Sequence, residues 1–123
     1  MTTNKTILIL ENLDSFREII STALKNQGYN IIPATSVKEA REMIKDKTID
    51  LAILDMKLPE ETGLSYSKEL KQTHPGLPVI FCTGYMDPKD MNEIDSTQVV
   101  DLLIKPFNLS ELKKRVKEVL EGK

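Results

Sequence analysis

Cysteine, long apolar stretches and net charge are all scarce in this chain. The single cysteine, Cys82, lies inside an apolar run. It has no partner for an intrachain disulfide, which points to a reducing compartment. Residues Met1–Lys5 are polar and lead directly into an apolar run far too short for a signal h-region or a membrane span. With 17 basic and 19 acidic residues the formal net charge is −2, so electrostatics gives no reason to expect nucleic acid or an anionic membrane as primary partner. No repeat, linker or low-complexity tract interrupts the chain. The expectation is one domain over residues 1–123, in the cytoplasm, long enough to build a core without staples.

What the sequence does contain is a set of short apolar runs, each ending on a polar residue of a different kind. Ile7–Leu10 runs into Glu11 and Asn12, Leu51–Leu54 into Asp55, Val79–Cys82 into Thr83, and Leu102–Ile104 into Lys105 and Pro106. Continuous apolar runs separated by helical segments read as parallel strands covered on both faces. The polar residues then share the carboxyl edge of the sheet, where open α/β sheets place their ligands. Carboxylates, an amide, a hydroxyl and an ammonium together can hold a divalent cation and a phosphoryl group.

The intervening segments read as helices. Phe16, Ile19, Ile20, Ala23 and Leu24 fall on one face of the first, with Asp14 or Ser15 as cap, a Ser15/Glu18 capping box, and Gly28 placed to end it. After a short strand at Asn30–Ala34, Ser36 and Glu39 box a second helix with Val37, Ala40, Met43 and Ile44 on its face. The third runs roughly Gly63–His74 with a thin stripe of Leu64 and Leu70. Asp87-Pro88 starts a polar fourth, and Asn108 with Glu111 caps a fifth. The basic residues Lys113, Lys114, Arg115 and Lys117 read as a solvated face complementing the helix dipole, and His74 as a surface residue. Strict alternation gives an α/β fold: a (βα)5 three-layer sandwich around a five-stranded parallel sheet with right-handed crossovers.

Over nearly its whole length the chain resembles the receiver domain of bacterial two-component response regulators. The resemblance rests on Leu8–Asn12, on Ile53–Pro59 with Gly63, on Thr83-Gly84 and on Lys105-Pro106-Phe107, in order and at family spacing. It implies the flavodoxin-like strand order 2-1-3-4-5. It also implies a phosphoacceptor, not an enzyme in the ordinary sense, that assists its own phosphorylation and dephosphorylation. Asp55 would accept the phosphoryl group from a sensor histidine kinase, a phosphotransfer protein or a small donor. Lys105 would pair with the Asp55 carboxylate at rest, and Thr83 and Lys105 would contact the phosphoryl oxygens once it is modified. Mg²⁺ would be held by Glu11, Asn12, Asp55 and the backbone carbonyl of Lys57. Lys57 and Tyr85 would tune water access, and Lys105-Pro106 resembles a dipeptide that is usually cis. A downstream protein would read the surface of the fourth helix, fifth strand and last helix.

The sequence departs from that pattern at three places. Asn12 stands where a carboxylate is usual. A unit charge pair at ~4 Å and an effective dielectric near 20 is worth ~4 kcal/mol before screening, so the amide weakens the expected cation site by about tenfold if a third survives. Leu102 stands at the switch position where an aromatic is usual. Ser96-Thr97-Gln98 lacks the usual glycine. Asn12, Leu102 and the polar fourth helix favour an alternative, a pseudo-receiver that acts as an interaction module without phosphorylation, and the intact Asp55, Thr83 and Lys105 oppose it. A flavin-binding domain of similar topology is disfavoured, because Asn12-Leu13-Asp14 would repel phosphate where a Ser/Thr/Gly cradle is needed. A stand-alone regulator and a fragment of a longer regulator or hybrid kinase fit the chain equally.

Overall fold

A computed structural model describes residues 4–56, 58, 60–84, 92, 99–105 and 108–122. The expected helix after Asp87-Pro88 (apart from Asn92), Lys57, Pro59, Tyr85, Pro106 and Phe107 lie outside the described residues, as do Ser96-Thr97-Gln98.

The described elements are β1 (Thr6–Leu10), α1 (Asp14–Lys25), β2 (Asn30–Ala34), α2 (Val37–Ile44), β3 (Leu51–Leu54), α3 (Gly63–Thr73), β4 (Val79–Thr83), β5 (Val99–Ile104) and α4 (Leu109–Glu121). The strands form one sheet in the order β2-β1-β3-β4-β5, and every pairing is parallel. This is the expected order. A register shift separates Val79/Ile80 in the β4–β5 ladder.

The apolar runs divide by the two-residue period of a strand. Leu8, Leu10, Ala52, Leu54, Val79 and Phe81 turn to one face, under Val37, Ala40 and Ile44 of α2 and Leu64, Tyr66 and Leu70 of α3. Ile7, Ile9, Leu51, Ile53, Ile80 and Cys82 turn to the other, under Ile20 and Leu24 of α1 and Leu112 and Val116 of α4. Each buried aliphatic side chain contributes about 1.5–3 kcal/mol, which fixes the strand register and hence what stands at the strand ends. Pro33 fits because β2 is an edge strand. Asn30 N and Ala34 O bond toward β1, so the intervening alternation leaves Pro33 facing away from the ladder.

Several local expectations change. The start of α1 is not capped by Asp14 or Ser15: Leu13 occupies the N-cap, with no side-chain cap bond. Asp14 lies inside the first turn, where its charge suits the helix dipole and pairs with Arg17 at 2.6 Å. The helix stops at Lys25, and Gly28, at φ 99°, makes the later turn into β2. Ser36 caps α2 as expected, but Glu39 reaches back to the Thr35 N–H at 2.8 Å. The thin stripe of α3 is broader than its sequence suggests. Tyr66 and Ser67 are buried with it, Ser67 satisfying its hydroxyl on the Leu64 carbonyl at 2.6 Å. The basic cluster of α4 does not serve the dipole either, since the last turn holds no basic residue. Arg115 instead pairs with Asp101 of β5 and with Glu118.

Candidate functional site at the carboxyl edge of the sheet

Three backbone hydrogen bonds continue the sheet just past its strand ends, and a fourth ties the start of α3 back to the segment after β3. Glu11 N donates to Ala34 O (3.1 Å), Asp55 N to Leu10 O (3.0 Å), Lys105 N to Thr83 O (2.7 Å), and Gly63 N to Met56 O (3.0 Å). Together with the β3–β4 ladder they bring the ends of β2, β1, β3, β4 and β5 into one place. The polar side chains following the apolar runs therefore converge.

Glu11, Asp55 and Thr83 are all buried, Glu11 to 2% and Asp55 to 7% exposure. Lys105 reaches over the strand ends between the two acids. Its Nζ donates to Glu11 Oε1 at 2.6 Å and to Asp55 Oδ2 at 3.3 Å. The shorter partner is Glu11; the expected resting partner, Asp55, is the longer one. Burial by itself pulls the Lys105 ammonium down. The Glu11 hydrogen bond and the charges of Asp55 and Glu11 outweigh it and hold the group above its usual value. The other oxygen of Glu11 accepts the Leu13 N–H at 3.1 Å. One carboxylate thus joins Lys105 to the start of α1.

Asn12 is exposed, and its side chain makes no hydrogen bond or ion pair among the described residues. Leu102 is partly buried and packs on the core beneath α2 and α3. Burial pushes the Cys82 thiol up to about 12, although Lys105 pulls the other way. Its role is packing, as expected.

Three residues that sequence reasoning assigned elsewhere, or passed over, shape the site. Phe16 places its ring 4.6 Å from Lys105 Nζ, adding a cation–π contact. In the sequence it reads only as one more apolar helix residue. Arg17 Nη1 donates to the Glu11 carbonyl at 2.8 Å. Gly63, placed by the sequence at the start of the third helix, lies against the end of β3. A Cβ there would sit 1.9 Å from the Asp55 carbonyl oxygen.

The donor chemistry fits a hard dication. Glu11 and Asp55 present carboxylate oxygens to a single ammonium, and oxygen is what Mg²⁺ selects. Among the described residues no group of three or more His, Cys, Asp or Glu could hold a metal. An ion here would rest on few protein ligands and keep several waters, as Mg²⁺ does elsewhere.

The class of protein is thus a doubly wound parallel α/β module with an acid–lysine–acid cluster and a buried threonine at the carboxyl edge of its sheet. The family model for the response regulator receiver domain matches residues 7–117, and the chain belongs to that family. Among curated proteins it is 30% identical over 95% of its length to the transcriptional regulatory protein ZraR of Escherichia coli O157:H7, of which it spans 26%. Among solved structures, a CheY-like receiver domain from Methanospirillum hungatei superposes with a TM-score of 0.91 at 25% identity, covering 98% of this chain and 96% of that one. The response regulator TrrA of Thermotoga maritima, solved with Mg²⁺ and BeF, gives 0.82 at 29% identity over 94% of this chain and 99% of that one. Among the described residues no helix is long and apolar enough to cross a membrane.

Proposed function

We propose that the protein accepts a phosphoryl group on Asp55 and passes the signal to a protein partner through a changed surface. The observation that carries this reading is the meeting of Asp55, Glu11 and Lys105 on one ammonium, with Thr83 ending the neighbouring strand. A carboxylate is a weak nucleophile, so rate must come from positioning and charge neutralisation. Asp55 Oδ forms a P–O bond as the P–N bond of a phosphohistidine donor breaks. The leaving imidazole nitrogen takes a proton from solvent. Lys105 stays with the cluster and neutralises charge on the phosphoryl oxygens, and the Thr83 hydroxyl donates to one of them. Mg²⁺ would be held by Glu11 and Asp55, with Asn12 and the Lys57 carbonyl as the further oxygens that the family resemblance implies, and would supply the remaining charge neutralisation. The donor is a sensor histidine kinase or phosphotransfer protein, in the cytoplasm.

Intact mass after treatment with acetyl phosphate or phosphoramidate and Mg²⁺ tests the reading. One added phosphoryl group is expected in the wild type, with none in Asp55→Asn and none in chelator. An unmodified wild type, with small donors and with kinase, would leave a phosphorylation-independent interaction module.

Asn12→Asp adds a charge beside Glu11. Mg²⁺ affinity is expected to rise by up to about tenfold, while the chelated protein melts lower because the new carboxylate repels Glu11 and Asp55. Paired melts in chelator and in Mg²⁺ check it. Unchanged melts in both would place residue 12 outside the electrostatics of the site.

A further inference from the structure

We infer that Arg41 is a positioning residue for the phosphoacceptor loop; the inference rests on the proposed phosphorylation of Asp55. The loop from Asp55 to Gly63 joins the end of β3 to the start of α3. Its far end is anchored by Gly63 against Asp55 and Met56, and by Thr62, whose hydroxyl caps α3 through the Ser65 N–H at 3.0 Å. Between these anchors Glu60 has a φ of 68°, a left-handed conformation that non-glycine residues rarely adopt. Something must hold the segment there.

The adjacent residue supplies the hold. Glu61 receives a fork from Arg41 of α2, Nη1 to Oε2 and Nη2 to Oε1, both at 2.9 Å. The same guanidinium binds Glu69 of α3 through Nε at 2.9 Å and Nη2 at 2.6 Å. Its carbon lies 5.8 Å from the centroid of the buried Tyr66 ring. One planar cation therefore ties together α2, the acceptor loop and α3. It also neutralises two carboxylates that would otherwise repel each other. Glu69 is held below the usual carboxylate range chiefly by its hydrogen bond to Arg41. A lysine could supply the charge but not the planar fork.

The pair is exposed, so its effect on folding is small. Its effect on the reaction comes from geometry, because the loop's first residue is the acceptor, and small misplacements of a reacting group are costly in rate. It is also screened by salt.

A double-mutant cycle in the second-order rate of Asp55 phosphorylation by phosphoramidate, with Arg41→Gln, Glu61→Gln and the double variant, tests this. Each single variant is expected to be about three-fold slower, and the double no slower than either. Both the wild-type rate and its advantage over Arg41→Gln should fall together as salt rises. Arg41→Lys should not restore the rate, and amide exchange at residues 60–62 should quicken in Arg41→Gln at little cost in Tm. Wild-type rates in both single variants, or strictly multiplicative losses, would overturn the role of Arg41 while leaving phosphorylation of Asp55 standing. A wild type that takes no phosphoryl group would overturn both.

Discussion

Gly63→Ala is expected to lower Tm by about 10 °C and to slow phosphorylation of Asp55 beyond what the lost stability explains. The added methyl would lie 1.9 Å from the Asp55 carbonyl oxygen, 2.8 Å from its carbon and 3.2 Å from Met56 Cα. All three are backbone atoms, so no side chain can swing aside. The helix cannot simply back away, because Gly63 N is bonded to Met56 O at 3.0 Å. Alanine gains up to ~1 kcal/mol of helix propensity, but forced displacement in a packed site costs about 1–3 kcal/mol and at times more. A net loss of about 2–3 kcal/mol corresponds to the stated shift for a domain of this size. Thermal melting and the acetyl phosphate rate check the two arms. A variant that melts like the wild type would mean that the approach of α3 to Asp55 relaxes freely.

Lys105→Met is expected to destabilise the metal-free protein by about 2 kcal/mol near neutral pH. Methionine keeps much of the side-chain volume and removes the charge. What remains is Glu11, with its side chain 3% exposed, beside Asp55, with its side chain 9% exposed. Removing one partner of a buried pair typically costs 3–5 kcal/mol, reduced here because Lys105 keeps 21% of its side-chain surface in water. From sequence, with Asp55 as the assumed partner, a smaller loss is expected; the 2.6 Å contact to Glu11 raises it. The pH dependence has a definite sign. The Lys105 ammonium is held above its usual 10.5 in the folded protein. Its stabilisation is therefore complete below pH 10.5 and is lost as pH rises through the higher folded value. Denaturant melts of wild type and variant should converge at high alkalinity. Mg²⁺ should narrow the gap at neutral pH by replacing the lost positive charge. A constant gap from pH 8 to 11 would mean that packing, and not the ion pair, accounts for the loss.

Most of the sheet was legible because its signal is redundant. The inner strands β1, β3 and β4 are apolar runs buried on both faces, and the described helices carry a stripe of the matching period. Glu11, Asp55, Thr83 and Lys105 were legible as a set for the same reason: parallel strands of fixed register must bring their following residues to one edge. What the sequence concealed depends on distance between elements. Gly63 gives no sign in the sequence of how closely the end of β3 passes beneath it. Arg41, Glu61 and Glu69 are ordinary surface charges until α2 and α3 are set side by side. Phe16 is indistinguishable by spacing from Ile20. The capping of α1 was misread because Asp14 and Ser15 compete locally with Leu13, and the carboxylate of Glu11, outside the helix, decides the outcome by taking the Leu13 N–H.

Pro33 on β2 has a counterpart on the opposite edge strand. The Leu102 N–H of β5 is taken by the carboxylate of its neighbour Asp101 at 2.8 Å, and Arg115 pairs with that carboxylate in turn. One border of the sheet thus lacks a donor and the other has one already spent. An incoming strand would find neither border ready to be extended, which guards the protein against edge-to-edge polymerisation. Communication with other proteins is thereby steered away from backbone zippering and toward side-chain surfaces, where recognition can be specific and reversible.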